Sequence, residues 1–304
     1  MEEDLKAKIL NSIAADQPEM LEFTKDLIAI ATENPPGAFY KPCVDAIRRK
    51  LSEIGLECQT IAVPNHSSTG EAGRFPRYCL LSSYGTGTRT VYFHGHYDVV
   101  PAARLEQFQP YLEGSHLFGR GSSDMKSGLA AMIYAVKALR TANIALHGTI
   151  GLIFVPDEET GRLLGTKYLA DIGMLGKNGI GMLMPEPTSG VIWNANRGAI
   201  SLRITVKGKP AHVGLQYEGM NAFEKMLPVA NALLDLKQKV EATVTTYRIR
   251  PEAARRSILM LGGRSEGGNN FNLVPGAFSF TVDRRINPEE DFEVEKRRLL
   301  TLLD

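Results

Sequence analysis

The stretch Thr149-Ile150-Gly151-Leu152-Ile153-Phe154-Val155 has no polar alternation after its first residue, and it runs straight into Pro156-Asp157-Glu158-Glu159-Thr160-Gly161. A short apolar run of this kind reads as a strand buried on both faces, which belongs in the middle of a largely parallel sheet covered by helices. Three acids at the end of such a strand are more than a solvated loop. The same design recurs in Phe93-His94-Gly95-His96-Tyr97-Asp98-Val99-Val100-Pro101, where an apolar strand ends on a histidine and an acid two residues apart. Side chains at i and i+2 of an extended chain point the same way, so His96 and Asp98 leave the strand together. A further apolar piece, Ile180-Gly181-Met182-Leu183-Met184, finishes on Pro185-Glu186-Pro187-Thr188.

Between these strands, Leu117-Phe118-Gly119-Arg120-Gly121-Ser122-Ser123-Asp124-Met125-Lys126-Ser127-Gly128 passes from a glycine turn into a helical pattern continued by Ala130, Ile133, Val136, Lys137 and Leu139. Asp124 sits in the turn that starts this helix, where an acid can also serve as a cap. His96, Asp98, Asp124, Glu158, Glu159 and Glu186 thus all follow strands or open helices, and in open α/β sheets that is where the ligand crevice lies. Carboxylates packed together raise one another's pKa values, and burying them unpaired costs several kcal/mol each. One or two divalent cations would supply the missing charge. Imidazole and carboxylate donors without thiolate suit catalytic zinc, and also cobalt or manganese.

The ordered strings Gly95-His96-Tyr97-Asp98-Val99-Val100-Pro101, Gly119-Arg120-Gly121-Ser122-Ser123-Asp124-Met125-Lys126, Asp157-Glu158-Glu159 and Glu186-Pro187-Thr188 resemble the acetylornithine deacetylase, succinyl-diaminopimelate desuccinylase, aminoacylase and glutamate carboxypeptidase family of zinc metallohydrolases. The resemblance spans essentially the whole chain. It implies a zinc-exopeptidase-like catalytic domain with a smaller ferredoxin-like lid and dimerisation domain. It implies that His96 and Glu186 hold one zinc, that Glu159 helps to hold a second, and that Asp124 bridges the two. It implies further that Asp98 orients His96 and that Glu158 is the general base. The reaction implied is metal-assisted hydrolysis of the amide bond of an N-acyl amino acid or short peptide, with no covalent intermediate. Chemistry supports the division of labour between the two glutamates. Neighbours on an extended segment diverge, so one can face a metal while the other exchanges a proton with water and leaving amine. No phosphate-binding Gly-x-x-x-x-Gly-Lys string occurs, which argues against nucleotide chemistry.

Lys and Arg number 35 against 34 Asp and Glu, for a net charge of +1, so there is no basic footprint for nucleic acid or anionic membrane. Cys43, Cys58 and Cys79 are too few and too scattered for a metal or disulfide framework and read as reduced, partly buried residues. The N-terminus shows neither a signal peptide nor a membrane span, and cytoplasm is the expected compartment. At 304 residues about two domains are expected. The first, residues 1–192, has helices near Asp4–Thr32 and Val44–Ile54, strands near Gln59, Cys79 and Val91, and the strand and helix alternation above. That makes an α/β domain whose sheet, mostly parallel but mixed, is sandwiched by helices.

The second, residues 193–304, begins with the alternation Ile200, Leu202, Ile204, Val206 against Ser201, Arg203, Thr205, Lys207, a half-buried strand. A helix near Asn221–Lys239 and strands at Ile258–Leu261 and Phe278–Val282 complete a small α+β layer. Lys209-Pro210-Ala211-His212-Val213-Gly214 is similar to the family's histidine loop, which implies that His212 stabilises the oxyanion, often in the partner subunit of a homodimer. Asn269-Asn270-Phe271-Asn272-Leu273-Val274-Pro275 and Asp283-Arg284-Arg285 resemble lid segments that bind a substrate carboxylate. Asn270 and one of the two arginines are the candidates. Strand alternation decides between Arg284 and Arg285 in neither direction, and the family pattern favours Arg285; Arg120 and Arg197 read as structural. His94 is assigned to packing, His66, His116 and His147 to surface turns, and Trp193 to a hinge. Asn287-Pro288-Glu289-Glu290 reads as a helix start, and the helix then meets Asp304 without a C-capping glycine. Against the family pattern this predicts a C-terminally truncated chain that lacks a late histidine ligand. The expected consequence is either reduced activity or a non-catalytic relative that serves in binding or assembly.

Overall fold

The computed structural model of the chain describes residues 2–64, 75–161 and 164–303; His66 falls outside them. The chain divides into two compact units, Met1–Gly190 and Val191–Asp304. In the first, α1 (Glu2–Ala29) and α2 (Tyr40–Glu53) precede β1 (Cys58–Val63), β2 (Arg77–Tyr84) and β3 (Thr90–His96). A small hairpin of β4 (Tyr111–Glu113) and β5 (His116–Phe118) leads to α3 (Lys126–Thr141), β6 (Thr149–Val155), α4 (Leu164–Asp171) and β7 (Gly179–Leu183).

The sheet order is β1-β2-β6-β3-β7. β3 runs parallel to both β6 and β7, whereas β2 pairs antiparallel with β6 and β1. The unit is therefore α/β with a mixed sheet, its parallel part confined to β6, β3 and β7. β6 shows why its sequence is apolar throughout. Leu152 and Phe154 join the core formed with α1, α2 and α3, while Ile153 and Val155 join Cys79 and Leu169 of α4. The covering is less complete at the edge, where Ile180, Met182 and Leu183 of β7 are exposed.

One buried cation ties the helical layer together. Lys126, at the first turn of α3, is fully buried and donates from Nζ to the carbonyls of Leu27 (2.8 Å) and Ile30 (2.6 Å). Carbonyls at a helix C-terminus have no partner within the helix, and a cation there meets both the orphan acceptors and the helix dipole.

The second unit contains β8 (Gly198–Lys207), β9 (Ala211–His212), α5 (Ala222–Glu241), β10 (Ile258–Gly267), β11 (Leu273–Val274), β12 (Ala277–Ile286) and α6 (Phe292–Leu303). Its sheet is β10-β12-β8, antiparallel throughout. α5 packs its apolar stripe, including Met226, Leu233 and Leu236, on Ile200, Leu259, Phe280 and Val282. Asn221 caps α5, its Oδ1 accepting from the amides of Phe223 and Glu224. Among the described residues no helix is long and apolar enough to cross a membrane.

The start of α6 departs from its sequence pattern. Asn287-Pro288-Glu289-Glu290 forms a turn, and the helix begins at Phe292 with Asp291 as its cap, Oδ1 accepting from Val294 N at 2.8 Å. The reason is that the acids of this turn are engaged elsewhere. Glu290 accepts from Arg284 (2.6 Å), Ser257 (2.6 Å) and the Asn287 amide (2.8 Å), and Glu289 accepts from Thr245 (2.8 Å).

Arg284 is 1% exposed and binds both Glu290 and Glu295, the latter at 2.8 Å. Removing one partner of a buried ion pair leaves an uncompensated charge and costs about 3–5 kcal/mol. Arg284→Met is expected to destabilise the second unit by that order. Denaturant unfolding followed by a probe in this unit checks it, and a loss below about 1 kcal/mol would show the arginine to be dispensable.

Candidate active site

The site is built on the last residue of β3. His96 is 2% exposed, and its Nδ1 faces the backbone carbonyl of Asp98 at 3.0 Å and the Asp98 carboxylate at 3.4 Å. A carbonyl can only accept, so Nδ1 carries the proton and donates. In the neutral ring this leaves the Nε2 lone pair on the opposite side. There it meets Asp124 Oδ1 at 3.0 Å, Glu186 Oε1 at 3.5 Å and Glu158 Oε2 at 4.0 Å. Ligand atoms of His96, Asp124 and Glu159 all lie within 4.8 Å of one another, a spacing that suits one ion.

Three parts of the chain place the acids. Asp124 ends the glycine turn before α3; it does not cap that helix, whose N-cap is Met125 without a side-chain bond. Glu186 follows β7, and its approach depends on Gly128 in α3. A Cβ on Gly128 would come within 2.5 Å of the Pro185 carbonyl oxygen, so any side chain there would push the Glu186 segment away. Glu158 and Glu159 lie in a turn, not on the extended segment that the sequence suggested. Their amides donate to the two Asp98 oxygens, at 3.2 Å to Oδ1 and 3.1 Å to Oδ2. Their side chains still separate: Glu159 Oε1 accepts from the Val100 amide at 3.2 Å, while Glu158 turns toward His96.

Crowding shows in the protonation of these groups. Burial, reinforced by the charges of Asp124 and Glu158, pushes the Glu186 carboxyl up to about 7. Burial likewise raises Glu158 and Glu159. For His96 burial alone favours the neutral ring, but hydrogen bonds to Asp124 and Asp98 and the nearby acids outweigh it, and the imidazole is raised to about 11. Its hydrogen bond to His96 lowers Asp124. The imidazolium is here standing in for a cation among carboxylates.

Beneath the acids lies a buried polar layer that sequence reading left without a role. Asp157, with φ of +66° and no exposure, accepts from Arg77 Nε, from Tyr40 Oη (3.2 Å) and from Asn34 Nδ2 (3.2 Å). Asn34 Nδ2 also donates to Asp98 Oδ2 at 2.8 Å. These are single polar residues in loops, at a strand start or at a helix start, with no periodicity to mark them. The one available signal was the third acid after β6. His94, packed as expected, sits 3.0 Å from the Thr166 hydroxyl, and burial lowers it to about 4.

In the second unit, His212 is exposed and its Nδ1 accepts from the Gly214 amide at 3.2 Å. β9 pairs with β11, His212 opposite Leu273, and Asn270 lies in the loop just before, exposed, its Oδ1 accepting from Phe271 N. His212 and Asn270 therefore share one corner. Arg285 is not brought there. It lies toward the far end of β12 from Ala277, opposite Ala199 and Ile258, and pairs with Asp283 at 2.6 Å. Arg284 is the buried structural residue of the two. Trp193 is 62% exposed, and His116 and His147 are exposed. The three cysteines are free.

The profile of peptidase family M20/M25/M40 matches residues 92–295, which include the whole cluster from His96 to Glu186. The succinyl-diaminopimelate desuccinylase of Bordetella avium is 30% identical over 299 residues, covering 94% of this chain and 72% of its own length. The di-peptidase Dug1p of Saccharomyces cerevisiae shares the fold at a TM-score of 0.74 and 17% identity, over 98% of this chain and 75% of that one. A dinuclear metal-binding peptidase of family M20 from Bacillus subtilis does so at 0.59 and 14%, over 95% and 69%. The fold and the cluster define a hydrolase of the metallopeptidase class. The chain belongs to peptidase family M20/M25/M40.

The raised Glu186 carboxyl fixes a pH dependence. Its folded-state value of about 7 lies above the ordinary 4.5, so its contribution to stability is present in full below about 4.5 and is lost as pH rises through 7. Chelator-treated protein is expected to lose several degrees of thermal midpoint between pH 5 and pH 8, and Glu186→Gln is expected to flatten that slope. An equal slope in the variant would place the titration elsewhere.

Proposed function

We propose that this chain is a zinc-dependent amidohydrolase that cleaves an N-acyl amino acid or short peptide, with cobalt or manganese as substitutes. The observation that carries the reading is a buried imidazole, its tautomer set by Asp98, whose Nε2 faces three carboxylates. The donor set fits a divalent cation. It combines one imidazole nitrogen with carboxylate oxygens and no thiol, and burial together with the neighbouring acids raises Glu158, Glu159 and Glu186, an effect that a bound cation would counter. His96 and Glu186 would hold one ion, Asp124 would bridge, and Glu159 would help to hold a second. When bound, the metal makes water more acidic and polarises the scissile carbonyl.

The chain's own groups supply the rest. Glu158 is about half exposed, so its carboxylate is open to substrate and solvent while its amide stays pinned to Asp98. It removes a proton from the attacking water and returns it to the leaving amine, and its raised pKa brings it nearer to the working pH for both transfers. Asp98 holds His96 in the tautomer that leaves Nε2 free. The second unit serves as lid and dimerisation domain of a cytoplasmic homodimer, with His212 stabilising the oxyanion at a site of the partner and Asn270 beside it contacting the substrate. The Bordetella avium relative supports an acylated amino acid, and the yeast relative a dipeptide, as the substrate class.

Glu158→Gln is expected to lower kcat by about 10²–10⁴-fold with metal content retained, because the amide keeps the shape but carries no proton. Glu159→Gln is expected to lose metal as well. Turnover of N-succinyl and N-acetyl amino acids and of dipeptides, together with metal analysis by mass spectrometry, tests the pair; equal metal loss in both variants would reverse the roles.

Mixing His212→Ala with Glu158→Gln chains is expected to restore part of the activity. Absence of recovery in verified heterodimers would place His212 in cis or outside the reaction.

A further inference from the structure

Asn34 is 3% exposed and lies on the segment that follows α1. That segment is fixed along the residues after β3: Val99 N donates to Thr32 O (3.0 Å), Asn34 N donates to Val99 O (2.8 Å), and Thr32 Oγ1 donates to Tyr97 O (2.5 Å). The carboxamide nitrogen then faces three acceptors, Asp98 Oδ2 at 2.8 Å, Asp157 Oδ1 at 3.2 Å and Thr160 Oγ1 at 3.4 Å. Three acceptors on one side decide which end of the amide is nitrogen.

We propose that Asn34 is a positioning residue that joins the carboxylates of Asp98 and Asp157 and so sets the turn carrying Glu158 and Glu159 against His96. Asp98 follows β3 and Asp157 follows β6, so the amide spans the two strand ends that bear the site. Asp98 Oδ2 receives both Asn34 and the Glu159 amide, and Oδ1 receives the Glu158 amide and faces His96 Nδ1. Without the Asn34 donor, the carboxylate is free to turn about its Cβ–Cγ bond, and both glutamate amides lose their fixed acceptor. The need for asparagine is chemical. Two buried anions face each other here, and a neutral donor attracts both, whereas aspartate would add a third negative charge and alanine would leave both short of a partner. Arg77 donates to Asp157 Oδ2, and Tyr40 donates to the Oδ1 that also receives Asn34, so both oxygens of that carboxylate are held. The catalytic consequence rests on the functional reading above; the positioning itself does not.

The test uses the whole chain and three variants. Amide hydrogen exchange at Glu158 and Glu159, read by NMR in chelated protein, is expected to quicken at least about tenfold in Asn34→Ala and in the isosteric Asn34→Asp. Thr32→Val removes a hydrogen bond from the same segment but leaves the carboxamide, and exchange at these two amides is expected to stay within about twofold of the parent. Unchanged exchange in whichever Asn34 variant folds overturns the proposal, as does equal acceleration in Thr32→Val. Cobalt titration of the parent and of Asn34→Ala separates this result from the functional reading. A 10–100-fold weaker affinity in the variant, with kcat falling more than KM, is the expected effect of losing an orienting partner. A parent chain that binds no cobalt would sink the metallohydrolase reading, and the exchange rates would still decide the role of Asn34.

Discussion

The rest of the site depends on how the Asp98 carboxylate is satisfied. It is fully buried, and a buried anion is costly unless donors surround it. Its donors are the Asn34 amide, the amides of Glu158 and Glu159, and the His96 ring beside it. These donors come from three parts of the chain: the segment after α1, the turn after β6 and the end of β3 itself. Meeting the needs of one charge therefore fixes the imidazole, the two glutamates and the strand spacing together. The geometry on the open side of His96 follows from what is buried on its closed side.

The two units each contain a buried arginine among carboxylates, with different consequences. Arg77 binds Asp157, whose left-handed backbone conformation is unfavourable for a residue with a side chain. Such a conformation persists when several contacts over-determine it, and Arg77, Tyr40 and Asn34 do so here, directly before Glu158. Arg284 instead joins β12 to the turn before α6 through Glu290 and to α6 itself through Glu295, with no strained residue between them. The first arrangement shapes a turn that bears chemistry, and the second fastens a helix to a sheet.

These differences explain what the sequence could disclose. The strand β6 was legible because burial on both faces demands a continuous apolar run, and β3 and the more exposed β7 were legible as apolar runs of their own; the residues following the three, His96, Asp98, Glu158, Glu159 and Glu186, announced a crevice. The four ligand candidates and Glu158 come together in one cluster of the first unit. Asn34 and Arg77 were not legible, since their roles depend on partners 64 and 80 residues away in the chain. The start of α6 was misplaced because local capping rules see Asn287, Pro288 and the following acids, and not Ser257 and Arg284, which claim Glu290. Alternation left Arg284 and Arg285 unresolved, and burial separates them. The divergence of Glu158 and Glu159 was anticipated from an extended chain, yet a turn produces it.

The density of function between Asp124 and Gly128 has a geometric cause. Asp124 precedes the first helical residue of α3 by two, Lys126 is that first residue, and Gly128 lies in the first turn. Asp124 faces His96, Lys126 is drawn inward to the end of α1, and Gly128 admits the Pro185 backbone and so the Glu186 segment. One helix start thus sets the distances among three parts of the chain at once. Lys126 anchors that start from the buried side, where its charge is met by carbonyls, while the acids on the open side repel one another. The anchor acts through a rigid helical turn, so it resists that repulsion without entering the site. Acids this close can be held ready for a cation only because the elements behind them are fastened by contacts that do not involve the acids.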